Sequence, residues 1–202
     1  MSGPIASKKD QRTRLFSLGG VVASIVLIAF GIGAIAIGAN GHSAVSDSIK
    51  QEAITGTPDM TPELTAAAVK GTKIASIEIP SCSVAGKKIE SGSSAKCFAD
   101  YLRIHTLEAT GGRTYSQMGQ FLTAKGTETS DEKLAAIDPK TDKPVPNAAR
   151  NIWVTETALS TALNTSYFAQ QVSLFSIVMG IALVLTGIGF LVLTLVLPRR
   201  RV

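Results

Sequence analysis

The sequence has few of the residues that most enzymes and metal proteins use. It contains two histidines and two cysteines, and aromatic residues make up only 5% of the chain. It has no G-x-S-x-G nucleophile elbow and no glycine-rich phosphate motif. A 2-His-1-carboxylate iron site would need both His42 and His105, together with an acid such as Glu108. Nothing in their spacing joins these residues, so we expect no catalytic residue, no metal site and no cofactor.

Charge is absent from two long apolar runs, residues 15–39 and residues 173–197. A helix rises about 1.5 Å per residue, so about 20 apolar residues cross a bilayer core of roughly 30 Å. Both runs are long enough, and we predict two transmembrane helices. Neither run carries an ionisable residue, which argues against ion or proton conduction by this chain alone. Cleavage of the first run as a signal peptide is the alternative, although typical signal peptides have shorter apolar regions of about 7–15 residues.

The basic residues lie on the outer side of each run. They are Lys8, Lys9, Arg12 and Arg14 before the first run, and Arg199, Arg200 and Arg201 after the second. Short basic flanks stay on the cytoplasmic side, so we expect a plasma-membrane protein with cytoplasmic tails at 1–14 and 198–202. Residues 40–172 then form an extracytoplasmic domain. Its basic and acidic residues nearly balance, so the net charge of +5 is juxtamembrane and indicates lipid contact rather than nucleic-acid binding.

Small residues recur along both apolar runs. They fall at small-xxx-small spacing, which lets helix backbones approach closely. We expect these residues to pack either the two helices together or one of them against a partner subunit, although Gly and Ala are common in transmembrane helices anyway. The candidates are Gly19, Ala23, Ala29, Gly33, Ala34, Gly38, Ser176 and Gly180.

Residues 40–172 predict a small, mainly α-helical domain with little β-structure. Thr61 and Pro62 favour a helix start, which Gly71 would end. The alternating segment 73–79 predicts a short strand. Ser93 or Ser94 can cap a helix that runs to Thr110, before Gly111 and Gly112, with one face formed by Phe98, Tyr101, Leu102 and His105.

Thr114 predicts the start of a further short helix, with Met118, Phe121 and Leu122 on its apolar face. Residues 125–146 predict an exposed loop with a helical turn at 131–136. The last segment, 147–172, has neither Gly nor Pro, and we predict one continuous helix from about residue 147 through the second apolar run. One face of that helix would consist of Ile152, Glu156, Leu159 and Leu163.

Glu156 is the one oddly placed charge on that face. It could pair with Arg150 or Lys133, mark a partner surface, or reach solvent. Tyr167 and Phe168 lie closer to the apolar run and fit the role of interfacial anchors.

The two cysteines, Cys82 and Cys97, both lie in the domain that we place outside the membrane. An even count in an oxidising compartment predicts a structural disulfide. A redox pair usually has C-x-x-C spacing, and a zinc site would need more ligands than His105 supplies.

Three segments carry a resemblance to a known family. GGVVASIVLIAFGIGAIAIG, RIHTLEATGGRTY and NIWVTETALSTALNTSYFA are similar to a family of actinobacterial two-span membrane proteins, over nearly the whole chain. The resemblance implies an envelope location and brings no established activity. Members sometimes carry the name aromatic ring-opening dioxygenase, but the sequence offers neither the iron site nor the catalytic base that such an enzyme needs.

The expected function is therefore non-enzymatic: an accessory or scaffold subunit that presents a small extracytoplasmic domain to a membrane-protein partner or as a homo-oligomer. A ligand-binding or sensing domain that signals through a partner is the alternative. A dioxygenase-type enzyme is the remote one, which only the family name suggests.

Overall fold

The computed structural model describes residues 5–196, and the side chains of residues 17–196. This range is mainly helical, as predicted. It contains four α-helices: α1 (Ile5–Gln51), α2 (Pro62–Val69), α3 (Gly92–Ala109) and α4 (Ala148–Val196). The four strands have two residues each: β1 (Phe121–Leu122), β2 (Glu128–Thr129), β3 (Ile137–Asp138) and β4 (Lys143–Pro144).

The chain forms two compact units. The apolar unit comprises Met1–Ala44 and Ala169–Val202, and the central unit comprises Val45–Phe168. The first apolar run lies within α1, and the described part of the second lies within α4. The predicted continuous helix is confirmed, because α4 is one element from Ala148 to Val196. Both α1 and α4 are long and apolar enough to cross a membrane, and only 11% of each apolar window is buried inside the protein.

Within the apolar unit, α1 and α4 run antiparallel and touch through glycine. A Cβ atom placed on Gly31 would lie 2.7 Å from the Gly180 carbonyl oxygen, and one on Gly38 would lie 2.6 Å from the Ser173 carbonyl oxygen. A Cβ on Gly187 would lie 3.0 Å from the carbonyl oxygen of Ser24. The contacts recur every seven residues along each helix, which is the spacing of a left-handed helix pair.

The two short helices of the central unit begin at hydroxyl caps. The Leu64 backbone N–H donates to the Thr61 Oγ1 at 3.2 Å, and α2 ends before Gly71, whose φ is +77°. These predictions are confirmed. The predicted cap of α3 is corrected to Ser91. Its Oγ accepts from the Ser94 backbone N–H at 3.2 Å, while the Ser94 Oγ accepts from the Ser91 backbone N–H at 3.1 Å. This reciprocal capping box places the helix start two to three residues earlier than predicted.

The predicted strand at 73–79 is wrong. The chain forms successive turns there, with the Ala75 N–H bound to the Thr72 carbonyl at 3.2 Å and the Ile77 N–H to the Ile74 carbonyl at 3.0 Å. Ile74 is buried against Val69 and Ile104 in a small core cluster. The apolar residues therefore serve this cluster, and three alternating residues are too few to define a strand.

The predicted helix after Thr114 is also wrong beyond its first turn. Tyr115–Gln117 is a single 3₁₀ turn, and Met118 is buried. Phe121–Leu122 then pairs as β1 with β2, and β3 pairs with β4, both antiparallel. Residues 125–146 thus contain β2 and the β3–β4 pair as well as the predicted helical turn, found at Glu132–Leu134. The sequence does not predict these strand pairs, because strands of two residues are too short to show alternation.

The core of the central unit is small and lies between α3 and its neighbours. The residues of the main cluster include Ile89, Ala95, Ala99, Tyr101 and Leu163. The face predicted for α3 is therefore rotated. Tyr101 is fully buried, whereas Phe98, Leu102 and His105 lie only partly buried at its edge.

Candidate functional site

Cys82 and Cys97 form a disulfide, with their Cα atoms 6.2 Å apart. The predicted pairing is confirmed. The bond joins the loop after Pro80 to the first turns of α3. The Tyr101 hydroxyl donates to the Cys82 carbonyl oxygen at 2.6 Å, and burial raises the pKa of this tyrosine. Bond and hydrogen bond together attach an otherwise irregular loop to the core.

The inward face of α4 agrees only in part with the predicted one. Ile152 and Leu159 are 41% and 45% exposed, while the buried positions are Trp153, Glu156 and Leu163. Glu156 and Leu163 belong to the predicted face, and this part of the prediction is confirmed, whereas Trp153 is buried in place of Ile152 and Leu159. The apolar residues on the other sides of the helix obscure the periodicity.

Glu156 is buried, with a side chain only 3% exposed. The Ser160 hydroxyl donates to its Oε1 at 2.9 Å, and the Arg103 Nη1 lies 3.9 Å from its Oε2. The prediction that the Glu156 carboxylate reaches solvent is therefore wrong. Neither proposed partner is found: Arg150 stacks 3.9 Å from the Tyr115 ring centroid, and the cation nearest to the carboxylate comes from α3.

Trp153 joins α4 to the segment after α3. Its Nε1 donates to the Arg113 carbonyl oxygen at 2.8 Å, and the Arg103 guanidinium lies 4.9 Å from its ring centroid. The Arg113 side chain binds both oxygens of Glu128, at 2.6 and 2.8 Å. These hydrogen bonds lower the pKa of Glu128 and raise that of Arg113.

A groove of about 490 Å³ lies between α3 and α4, open to solvent. Half of its lining residues are hydroxyl- or amide-bearing residues of α4, with charged groups contributed by Asp100, Arg103 and Glu156 and an aromatic ring by Phe168. A second groove of about 490 Å³ lies on the other side of α4, against Tyr115 and Trp153. Neither groove was foreseen, since α3 and α4 are far apart in the sequence.

His105 lies between two carboxylates. Its Nδ1 is 3.1 Å from a Glu108 oxygen and its Nε2 is 3.6 Å from Asp59. A hydrogen bond from Thr57 is the main cause of a lowered pKa at Asp59. His42 is exposed in the apolar unit, with its Nε2 3.5 Å from the amide nitrogen of Gln170. The two histidines therefore belong to different units. Within the described range, no group of three or more acidic, His or Cys side chains is arranged to hold a metal.

The small residues of the apolar runs divide into two groups. Gly38 and Gly180 lie in the α1–α4 contact, while Gly19 and Gly33 have no neighbouring atom within 4 Å of an added Cβ. The first two residues pack the helices on each other. The remaining candidates are exposed or partly exposed, and their role against a partner stays a prediction: Ala23, Ala29, Ala34 and Ser176.

The residues that predict topology fall outside the described side chains. Lys8, Lys9, Arg12 and Arg14 lie on the α1 backbone, and Arg199, Arg200 and Arg201 follow the last described residue.

Two groups of interacting residues were missed by the sequence argument. The Arg113–Glu128 pair joins the turn after α3 to β2, and Arg103 joins Trp153 to Glu156. The sequence does contain a signal for the second group, because Trp153 and Glu156 lie three residues apart and are therefore neighbours on a predicted helix. The cation that completes it comes from another element and had no local signal.

The fold thus defines a mainly helical protein with two helices that could sit in a bilayer and a disulfide-linked central unit. Comparison with known protein families, curated proteins and solved structures found no match.

Proposed function

We propose that the chain is a non-enzymatic integral membrane protein of the cell envelope that serves as an accessory or scaffold subunit. One observation carries the proposal: α1 and α4 pack on each other through glycine and leave large apolar side chains outside. Phe30 is 71% exposed and Phe175 is 64% exposed. Moving each such side chain from water into lipid gains about 1.5–3 kcal/mol, so these surfaces favour a bilayer.

The basic flanks support an orientation with both tails in the cytoplasm and the central unit outside. The disulfide agrees with this orientation, because such bonds persist in oxidising compartments. An accessible-lysine label that does not cross membranes provides the check: central-unit lysines should react in intact cells, and those of the N-terminal tail should react only after permeabilisation.

The contacts of the central unit support a structural rather than a catalytic role. Several of its charged groups bind within the unit: Arg113 binds Glu128, and Arg103 lies against Glu156 and Trp153. The first pair holds the turn after α3 against β2, and the second contact holds α3 against α4. Iron analysis of the purified chain addresses the dioxygenase name, since that chemistry requires stoichiometric metal.

Crosslinking in native membranes, followed by affinity purification and mass spectrometry, tests the accessory role. We expect one membrane protein to be recovered at a constant ratio to this chain. An unrelated two-span protein with the same tag is the control. Recovery of the chain as a monomer only, under several growth conditions, would overturn the proposal.

The groove between α3 and α4 favours a second candidate function, ligand sensing by the central unit. Its hydroxyl and charged groups could bind a small polar ligand, and α4 leads directly from the groove into the apolar run. Protection of Arg103 from a guanidine-modifying reagent by a screened ligand would support sensing, and its absence across polar metabolite classes would count against it.

A further inference from the structure

Arg150 carries a positive charge that no acidic side chain of the described range neutralises. Among residues 17–196 it takes part in no ion pair, and its Nε is buried without a hydrogen-bond partner. It is the third residue of α4, whose first turn contains no acidic residue. The positive end of the helix dipole lies in the same turn. Two positive groups therefore meet at this place, and the chain supplies no anion to either.

A tyrosine ring holds the Arg150 guanidinium in place. The guanidinium carbon lies over the Tyr115 ring, 3.9 Å from its centroid, which is a favourable cation–π distance. The ring covers one side of the guanidinium, whereas the N–H donors of this planar group point outward along its edge. Because Arg150 is only partly buried, this edge is open to a planar oxyanion whose position the Tyr115 contact fixes in advance.

Tyr115 is also a wall of the second groove, which has a volume of about 490 Å³. The other residues that line it are Trp153, Val154, Thr157, Ala158 and Thr161. None of them is charged, and the Trp153 Nε1 already donates to the Arg113 carbonyl oxygen. The groove thus offers aromatic and aliphatic surface with two hydroxyls, beside a single cation. Sites for small molecules have this composition and a volume of about 300–1,000 Å³.

The single cation determines the charge of a matching ligand. A carboxylate carries one negative charge and binds a guanidinium through two parallel, charge-assisted hydrogen bonds. A phosphate monoester carries about −1.5 to −2 at neutral pH, so part of its charge would remain unpaired. Arg113 adds no positive charge, because both oxygens of Glu128 bind its guanidinium. Charge complementarity therefore favours a carboxylate.

We propose that this second groove binds a small carboxylate with an apolar body. The carboxylate pairs with the Arg150 guanidinium, and the apolar body lies against Val154 and Ala158. The bound ligand supplies the anion that the first turn of α4 lacks. This site goes beyond the accessory role and does not depend on it, because binding is measured on the purified chain alone, whether or not a membrane partner exists.

Titration of the full-length chain in detergent micelles with 4-cyclohexylbutyrate tests this proposal. The probe does not absorb where tryptophan does, and Trp153, the only tryptophan, lines the groove. We expect a saturable change in its emission at neutral pH. Two matched compounds keep the same apolar body: 4-cyclohexylbutyramide has no charge, and 3-cyclohexylpropyl phosphate has too much. Each should bind at least about tenfold more weakly, because neither matches the charge of one guanidinium.

Two variants with matched controls locate the site. Arg150→Gln should weaken binding of 4-cyclohexylbutyrate at least about tenfold, whereas Lys125→Gln, which removes the same charge at an exposed position, should leave it unchanged. Ala158→Glu places a carboxylate in the groove and should weaken binding at least about fivefold by repulsion. Thr155→Glu adds the same charge to α4 at an exposed residue that lines neither groove and should have no effect. Urea midpoints show whether the four variants fold.

Absence of a saturable change with the wild-type chain would overturn the proposal. So would equal binding of the carboxylate and the amide, or unchanged binding by Arg150→Gln. Tighter binding of the phosphate would overturn the assignment of a carboxylate. If Arg150→Gln does not fold, Ala158→Glu and Thr155→Glu decide: equal binding by these two variants would show that the ligand does not occupy this groove.

Discussion

Removal of the disulfide should destabilise the central unit strongly. The bond closes a loop with a sequence separation of 15 residues, and restricting the unfolded chain by such a loop contributes about 3 kcal/mol. The loop also carries Val84 and Ile89, both buried in the main core cluster. Replacing Cys82 and Cys97 by alanine should therefore lower the folded-to-unfolded ratio roughly 150-fold, since each 1.4 kcal/mol is a factor of ten.

The measurement uses Trp153, the only tryptophan of the chain, which is 3% exposed. Its emission should shift to the red when the central unit unfolds in urea, with the full-length protein in detergent micelles. The double variant and the wild-type chain in reductant should both unfold at a lower urea midpoint. Ser81→Ala with Ser93→Ala, two exposed neighbours of the cysteines, should change stability by less than about 0.5 kcal/mol. A loss below about 1 kcal/mol in the cysteine variant would refute the reasoning.

Three further predictions address other contacts. A Cβ on Gly180 would lie 2.6 Å from a backbone oxygen, so Gly180→Val should destabilise the helix pair by about 1–3 kcal/mol, while Gly189→Val, in open space, should leave thermal stability in detergent unchanged. Glu128 has a lowered pKa in the folded chain. Its contribution to the free energy of unfolding is therefore present above the unfolded pKa near 4.5 and is lost as pH falls through the folded pKa. Glu128→Gln should make the urea midpoint depend less on pH between neutral and acid conditions, and an unchanged pH dependence would contradict this. Arg103→Met should cost about 1–2 kcal/mol by leaving Glu156 without its nearest cation, and adding Glu156→Gln should recover part of the loss, whereas purely additive losses would exclude coupling.

Most of what the sequence predicted correctly depends on local chemistry. Thr61 and Gly71 bound α2, and Gly111, with a φ of +62°, follows α3. Such signals are contained in a few neighbouring residues, because capping and positive φ angles are properties of single positions. The long helices were predictable for the same reason, since each apolar run is continuous in the sequence.

The errors arise where distant residues decide the structure. Ile152 and Leu159 satisfy helical periodicity with Leu163 as well as Trp153 does, and only the elements that pack on α4 select between them. Phe121 pairs with Thr129, and a ladder of two residues depends on the turn between them rather than on any pattern within β1. The α3–α4 groove likewise requires the relative placement of two helices, which no local signal supplies.

The buried Glu156 and the absence of exposed charge on α4 between residues 151 and 172 are consequences of one arrangement. A helix in contact with water normally directs its charges outward, because burying a carboxylate costs free energy unless it is paired. Here the single carboxylate points inward, where Ser160 and Arg103 offset part of that cost, and hydroxyl, alanine and aromatic side chains point outward. Water alone gives no reason for this distribution, since a glutamate at Thr161 would be solvated without any such cost. A protein neighbour does give one, because an exposed charge would have to be desolvated when two helices meet, and small or hydroxyl-bearing side chains allow a close approach.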